Sequence, residues 1–391
     1  MKRTLLLLAV ALAFTACGKK NVYFYDLSAR PDAGTLVIAD IPDGNWKVTA
    51  VIGSATEAGV TTILAESRRL FVENLATQPG EFVTCTFTVN KRDSVIAHGN
   101  VVKISTREID KLDWDSNLSF EFTGAQPRIK SIKVEPADKD VITLFLCGDS
   151  TTVDQDNDPW ASWGQMITRF FDDKIAVANY AESGRSSNTF IFEKRLEKIM
   201  TLARSGDYIF SGFGHNDEKQ KDPDSGAYGH FTKYMQMYVD SAAKAGCTAV
   251  LLTPTARRRF DDEGRSVNTH GDFPQATRDL AAKDGVALID LTDMVTAMYE
   301  AMGVEGSKQL LVHYPANTFE DQPNVMADDT HFNPFGAYEV AKCVLQGIKD
   351  NKLPLAAHIK DFGAFDPSHP DDPASFGWTF QGINAEKPAG N

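Results

Sequence analysis

The sequence predicts an α/β fold built on a parallel sheet and preceded by an all-β sandwich. Three observations predict it. Short β-rich runs between turn signals occupy residues 21–138, a continuous apolar run fills residues 141–147, and strand-like runs then alternate with helix-like ones. Many short strands at close spacing build a sandwich, whereas strands alternating with helices build a parallel sheet covered on both faces. A chain of 391 residues also suits two domains better than one.

The first segment stands apart from the fold. Lys2 and Arg3 precede an unbroken apolar run at residues 5–14, which is too short for a resident membrane helix, and small residues then lead into Cys17. The pattern resembles the lipobox of bacterial lipoproteins. That implies a signal peptide over residues 1–17 and acylation of Cys17, which would anchor an exported protein in the cell envelope, facing periplasm or exterior. Several acyl chains make such an anchor stable. The plainer alternative is an ordinary signal peptide with an incidental cysteine.

In the β-rich half, strands are expected at 35–39, 46–52, 61–65, 82–89, 118–122 and 129–134. Pro42-Asp43-Gly44-Asn45 is a turn, because proline presets φ and glycine accepts a positive one. Phe82, Thr84, Thr86 and Thr88 alternate with Val83, Cys85, Phe87 and Val89, as in a half-buried strand. Trp46 and Trp114 read as core residues, or else as carbohydrate contacts.

The first strand of the second half is apolar throughout, as a strand buried on both faces must be. An amphipathic stretch follows at 160–171. Further strands are expected at 175–179, 208–213, 249–253 and 287–291, and helices at 190–202, 231–245, 275–283, 292–302 and 335–350. Asn333-Pro334 opens the last helix with a cap and a first-turn proline. Residues 353–391, rich in Pro, Asp and Gly, read as an extended strap or a disordered end. Cys85, Cys147, Cys247 and Cys343 sit in strand-like or helix-like surroundings and read as free, buried thiols. Neither Cys-x-x-Cys nor His-Glu-x-x-His occurs, so no metal or other cofactor is indicated. A net charge of −13 argues against nucleic acid as partner, because phosphate binding needs basic patches.

Ligands of open parallel sheets bind beyond the carboxyl ends of the strands. Gly148-Asp149-Ser150 ends the first strand and offers a hydroxyl at a strand-to-helix turn, where it could equally be a cap. Gly184 follows the second strand, and its missing Cβ permits close backbone approach to a ligand. Gly214-His215-Asn216-Asp217 follows the third; Asn216 could donate to an oxyanion or merely shape a turn. Asp328 and His331, three apart before the last helix, could form the carboxylate-and-base half of a triad, with Asp329 the rival carboxylate.

In this order the four blocks resemble the SGNH (GDSL-like) hydrolase superfamily, over residues 141–352. The resemblance implies a flavodoxin-like three-layer domain and a serine esterase. Ser150 would be the nucleophile, His331 the base and Asp328 its orienting partner. The N–H groups of Ser150 and Gly184 and the amide of Asn216 would form the oxyanion hole. Gly-x-Ser-x-Gly is absent, which argues against the ordinary α/β-hydrolase fold.

Gly148–Thr152, the loop with Gly184-Arg185-Ser186-Ser187, Phe213–Asp217 and Thr253-Pro254 with Arg257-Arg258 resemble rhamnogalacturonan acetylesterases. Such enzymes remove O-acetyl groups from pectic polysaccharide, and the β-rich half is similar to the galactose-binding-like sandwich that some members carry. The implied partner is an acetylated acidic glycan, acted on by a monomer that touches membrane only through its anchor. Arg257, Arg258 and His270, in a basic loop of an acidic chain, are candidates for holding the uronate carboxylate, or a solvated basic run. The alternatives are an acetylesterase for xylan or another glycan, a broad lipase-like esterase, and a non-catalytic glycan-binding lipoprotein.

Overall fold

The computed structural model describes residues 21–29, 34–320 and 322–380. The signal-peptide reading, Cys17 included, lies outside them.

Eight strands come first: β1 (Tyr23–Asp26), β2 (Thr35–Ile38), β3 (Gly44–Ile52), β4 (Gly59–Ala65), β5 (Arg69–Thr77), β6 (Val83–Lys91), β7 (Leu118–Gln126) and β8 (Ile129–Pro136). They form two antiparallel layers, ordered β2-β7-β4-β5 and β1-β8-β3-β6. On β3, Trp46, Val48, Ala50 and Ile52 are buried while the residues between them are half-exposed, the period-two pattern of a strand with one face in a core. They meet Ile63, Phe71, Phe120 and Phe122 of the facing layer. Trp46 belongs to this core, its Nε1 donating to the Pro42 carbonyl at 3.0 Å.

The second half begins with β9 (Ile142–Gly148), short helix α1 (Trp163–Met166) and β10 (Ile175–Asn179). Next come α2 (Ser187–Phe192), α3 (Arg195–Leu202), β11 (Tyr208–Gly212), α4 (Thr232–Ala245), β12 (Thr248–Leu252), α5 (Phe273–Asp284) and β13 (Ala287–Ile289). The chain then forms α6 (Leu291–Gly306), a hairpin of β14 (Leu311–Tyr314) and β15 (Met326–Phe332), and α7 (Pro334–Asp350). The helix expected over 190–202 is divided, because Lys194 takes a left-handed φ of 65° between α2 and α3.

The parallel strands run β10-β9-β11-β12-β13, the doubly wound order whose direction of winding reverses beside β9. Leu144 and Leu146 face α1, α6 and α7, and Phe145 and Cys147 face α2 to α5, giving the expected three layers. Cys147 and Cys343 are buried free thiols, and Cys85 and Cys247 are free and half-buried.

The two sheets join. β6 pairs in parallel with β10, Thr88 against Ala176 and Val89 against Val177, so one sheet of the sandwich runs on into the parallel sheet. Buried charges cross the same seam. Arg69 donates to the carbonyl of Val177 at 3.3 Å and stands 3.5 Å from Asp154. Glu108 chelates Arg195 at 2.6 and 2.7 Å, and Lys111 holds Glu182 at 3.0 Å. The tail is a strap as far as it is described: Leu355 and Phe365 enter the core, Ile359 bridges to Phe171, and the Gly377 carbonyl accepts from Asn74 of β5 at 2.6 Å.

Candidate active site

Ser150 lies at the carboxyl end of β9, where the sheet order switches. Its backbone is fixed first: the Ser150 carbonyl accepts from Ser162 Oγ at 2.6 Å and Gln155 Nε2 at 3.0 Å. Asp149 is buried and caps the turn, accepting from the Thr151 N–H and hydroxyl, each at 2.9 Å. With its backbone held, the side chain places Oγ 2.8 Å from His331 Nε2.

His331 arrives from β15, whose Met326, Ala327, Asp328 and Phe332 pair with β14 on either side of an irregularity that carries His331. Its Nδ1 stands 2.7 Å from Asp328 Oδ2, while Asp328 Oδ1 accepts the backbone N–H groups of Thr330 and His331 at 2.9 and 3.0 Å. Burial pushes the Asp328 carboxyl up, but the His331 bond and charge and these N–H donors together carry it down to about 2. The rival Asp329 is turned elsewhere, to Arg258 at 2.8 Å and His313 at 2.9 Å.

A cleft of about 680 Å³ opens over these groups, and Ser150, Gly184, Asn216, Arg257 and His331 all line it. Gly184 holds a φ of 81°, which disfavours any side chain there. Asn216 Nδ2 donates to the Arg185 carbonyl at 3.0 Å, tying the loop after β11 to the loop after β10; an amide carries a second N–H beyond that one. Asp217 is buried and accepts from the backbone N–H and hydroxyl of Ser187 at the start of α2; burial lifts its carboxyl to about 6. His215 also reaches the cleft, but its Nε2 is taken by Thr255 Oγ1 at 3.1 Å, and burial holds its imidazole well below the ordinary range.

The three residues of the basic loop separate. Arg257 lines the cleft, paired with Glu218 and donating to the His215 carbonyl at 3.3 Å. Arg258 does not line it: its guanidinium is spent on Asp329, Ser307 Oγ and the Val304 carbonyl. Nor does His270, which is buried with one ring nitrogen 2.9 Å from Glu218 and the other 2.9 Å from the Thr255 carbonyl. Their local demands, a helix end for Arg258 and the Glu218 carboxylate and Thr255 carbonyl for His270, outcompete a ligand.

Sequence reasoning missed Arg107, Trp160 and Lys219, which line the same cleft. Arg107 had one available signal, a stretch of some two dozen residues without strand pattern between β6 and β7; loops that long in compact domains are often functional. Among the described residues no group of three or more His, Cys, Asp or Glu could hold a metal ion, and no helix is long and apolar enough to cross a membrane.

Residues 146–337 match the GDSL-like Lipase/Acylhydrolase family. The chain is 39% identical over 223 residues to the rhamnogalacturonan acetylesterase RhgT of Bacillus subtilis, covering 56% of this chain and 95% of that protein. YesY of the same organism, described as a probable rhamnogalacturonan acetylesterase, is 33% identical over 55% of this chain and 96% of its own length. A rhamnogalacturonan acetylesterase of Emericella nidulans is 24% identical over 53% of this chain and 84% of its own length. The chain is a carboxylic ester hydrolase and belongs to the GDSL-like lipase/acylhydrolase family.

Proposed function

We propose that this protein removes O-acetyl groups from rhamnogalacturonan through an acetyl-enzyme on Ser150. The observation that carries the proposal is the relay in the cleft wall, Ser150 Oγ to His331 Nε2 at 2.8 Å and His331 Nδ1 to Asp328 at 2.7 Å.

Ser150 Oγ attacks the acetyl carbonyl and passes its proton to His331 Nε2. Asp328, ionised, holds the ring and answers its new charge. The oxyanion of the tetrahedral intermediate is met by the N–H groups of Ser150 and Gly184 and the free N–H of the Asn216 amide. Collapse expels the sugar oxygen, which takes the proton from His331. Water then enters, His331 accepts one of its protons, and the second collapse releases acetate and restores Ser150.

The substrate assignment draws on the relatives and on charge. Arg107, Lys219 and Arg257 line the cleft against one carboxylate, Glu218, in a chain whose net charge is −13. A cationic cleft in an acidic body concentrates an anionic glycan over a neutral one. Arg257 is the basic-loop residue proposed to meet the uronate. Acetate release from acetylated rhamnogalacturonan and from acetylated xylan, wild type against Ser150→Ala, tests the proposal. Release from the pectic polymer, abolished by the substitution, is expected; equal or faster turnover of xylan would reject the substrate.

The proposal extends to the cell envelope, with Cys17 as the acylated residue. Incorporation of labelled fatty acid that is lost in Cys17→Ser is the expected result, and persistence of the label would contradict it.

A further inference from the structure

The segment between β6 and β7 reaches from the sandwich to the mouth of the cleft. Its inner side is locked. Glu108 is fully buried and takes Arg195 with both carboxylate oxygens, and it also accepts from Trp114 Nε1 at 3.1 Å and from the Ser105 backbone N–H at 2.8 Å. Burial pushes the Glu108 carboxyl up, but the charge and bonds of Arg195 bring it below its ordinary value, so the pair is ionic. Lys111, three residues on, holds Glu182 of the loop that carries Gly184.

Arg107 is the neighbour of that anchor and faces outward into the cleft. One of its N–H groups donates to the Ser183 carbonyl at 3.2 Å, and its Nη2 lies 3.5 Å from where a Cβ on Gly184 would stand. The other arginines nearby are answered by carboxylates: Arg257 by Glu218, Arg185 by Glu193 and Arg195 by Glu108. The Arg107 guanidinium meets the Ser183 carbonyl instead of a carboxylate. A guanidinium has five donors in a rigid fork that matches a carboxylate at two points. This one is held in place by its neighbours and stands beside the glycine whose N–H lines the reacting position.

We propose that Arg107 is a specificity-determining residue of the esterase site, its guanidinium taking the carboxylate of a uronate next to the acetylated sugar. The β-rich half is then one wall of the cleft, and it contributes selectivity directly. This deepens the pectic reading above and rests on it for the identity of the sugar; the requirement for a carboxylate rests on Arg107 itself.

The full-length wild type is compared with Arg107→Gln and Arg107→Lys in three measurements. These are hydrolysis of a small neutral aryl acetate, acetate release from acetylated rhamnogalacturonan oligosaccharides, and inhibition of aryl acetate hydrolysis by unacetylated oligogalacturonate. In Arg107→Gln the ratio of kcat/KM for the oligosaccharide to that for the aryl acetate is expected to fall about 10-fold, mainly through KM, as loss of a charged hydrogen-bonded contact does. The Ki of oligogalacturonate should rise by a similar factor, and Arg107→Lys should recover part of both. An unchanged ratio with unchanged Ki would overturn the proposal and leave Arg107 as a prop for the Ser183 carbonyl. Should the wild type release no acetate from the pectic oligosaccharide, the assigned substrate fails, and the inhibition measurement still decides Arg107. Inhibition that weakens in Arg107→Gln supports it; inhibition equal in both proteins, or absent in the wild type, overturns it.

Discussion

The carboxylate of Asp328 grips His331 at two points, Oδ2 against ring Nδ1 at 2.7 Å and Oδ1 against the backbone N–H at 3.0 Å. One side chain therefore sets both the tautomer of the imidazole and the rotation of the residue that carries it. Asp328→Asn keeps the shape but removes the charge that stabilises the protonated ring. We expect kcat on an aryl acetate to fall by about 10⁴-fold, the cost of the equivalent change in a serine triad, with thermal denaturation little altered. A loss under about tenfold would assign the orienting role elsewhere.

The acid limb of the activity profile follows from the same carboxylate. Asp328 ionises at about 2, below the ordinary carboxylate range, so its charge is present from neutrality down to that point and is lost only as pH falls through it. Asp328 itself should therefore add no step to the pH profile of kcat/KM above about pH 3. A step above about pH 3 that disappears in Asp328→Asn would contradict the lowered ionisation of this carboxylate.

Asn216 ties two loops together through the Arg185 carbonyl before any substrate binds. Asn216→Ala loses that tie and, on the proposed mechanism, one oxyanion donor, and kcat should drop by about 10²–10³-fold. Gly184→Ala places a side chain at a φ of 81° and beside Arg107, so it should also lower kcat. A kcat unchanged in Asn216→Ala, with KM raised, would mean ground-state binding instead.

Much of this arrangement was legible because strands buried on both faces leave plain apolar runs, as residues 141–147 do, and because Ser150, Gly184 and Asn216 each follow such a run. Strand β5 was hidden: it opens on Arg69, ends polar, and bends at Asn74, whose φ is 43°. Strand β15 carries Ala-Asp-Asp-Thr-His and pairs with only four residues of β14, so its pattern is that of a polar loop. The parallel pairing of β6 with β10 and the Glu108–Arg195 contact join residues more than eighty positions apart. No local periodicity encodes either, and so two halves with separate grammar gave no sign of a shared sheet or of Arg107 in the cleft.

Arg257 and Arg258 are adjacent in sequence but differ in surroundings, and their substitutions should separate. Arg257→Gln acts in the cleft and should raise KM for acidic oligosaccharides more than for a neutral aryl ester. Arg258→Gln breaks contacts to Asp329, Ser307 and Val304 and should lower the melting temperature while leaving that selectivity unchanged. Parallel kinetics and thermal melts decide it; a selectivity change in Arg258→Gln alone would reverse the assignment.

A chain starting near Ala137 should fail to fold. Its removal of β6 leaves the edge of β10 without its partner, and an unpaired edge invites aggregation. It also strips Glu108 from Arg195 and Lys111 from Glu182, four side chains buried in the whole protein. Breaking one buried ion pair typically costs about 3–5 kcal/mol, against a total stability of about 5–15 kcal/mol for a typical domain. Losing both pairs and the strand should exceed what the remaining core supplies. The expected result is insoluble protein or a non-cooperative melt, whereas Glu108→Gln in the full chain should melt cooperatively at a lower temperature. A soluble truncated chain with a sharp transition and intact aryl esterase activity would show the halves to be independent, with the ionic seam contributing little to stability.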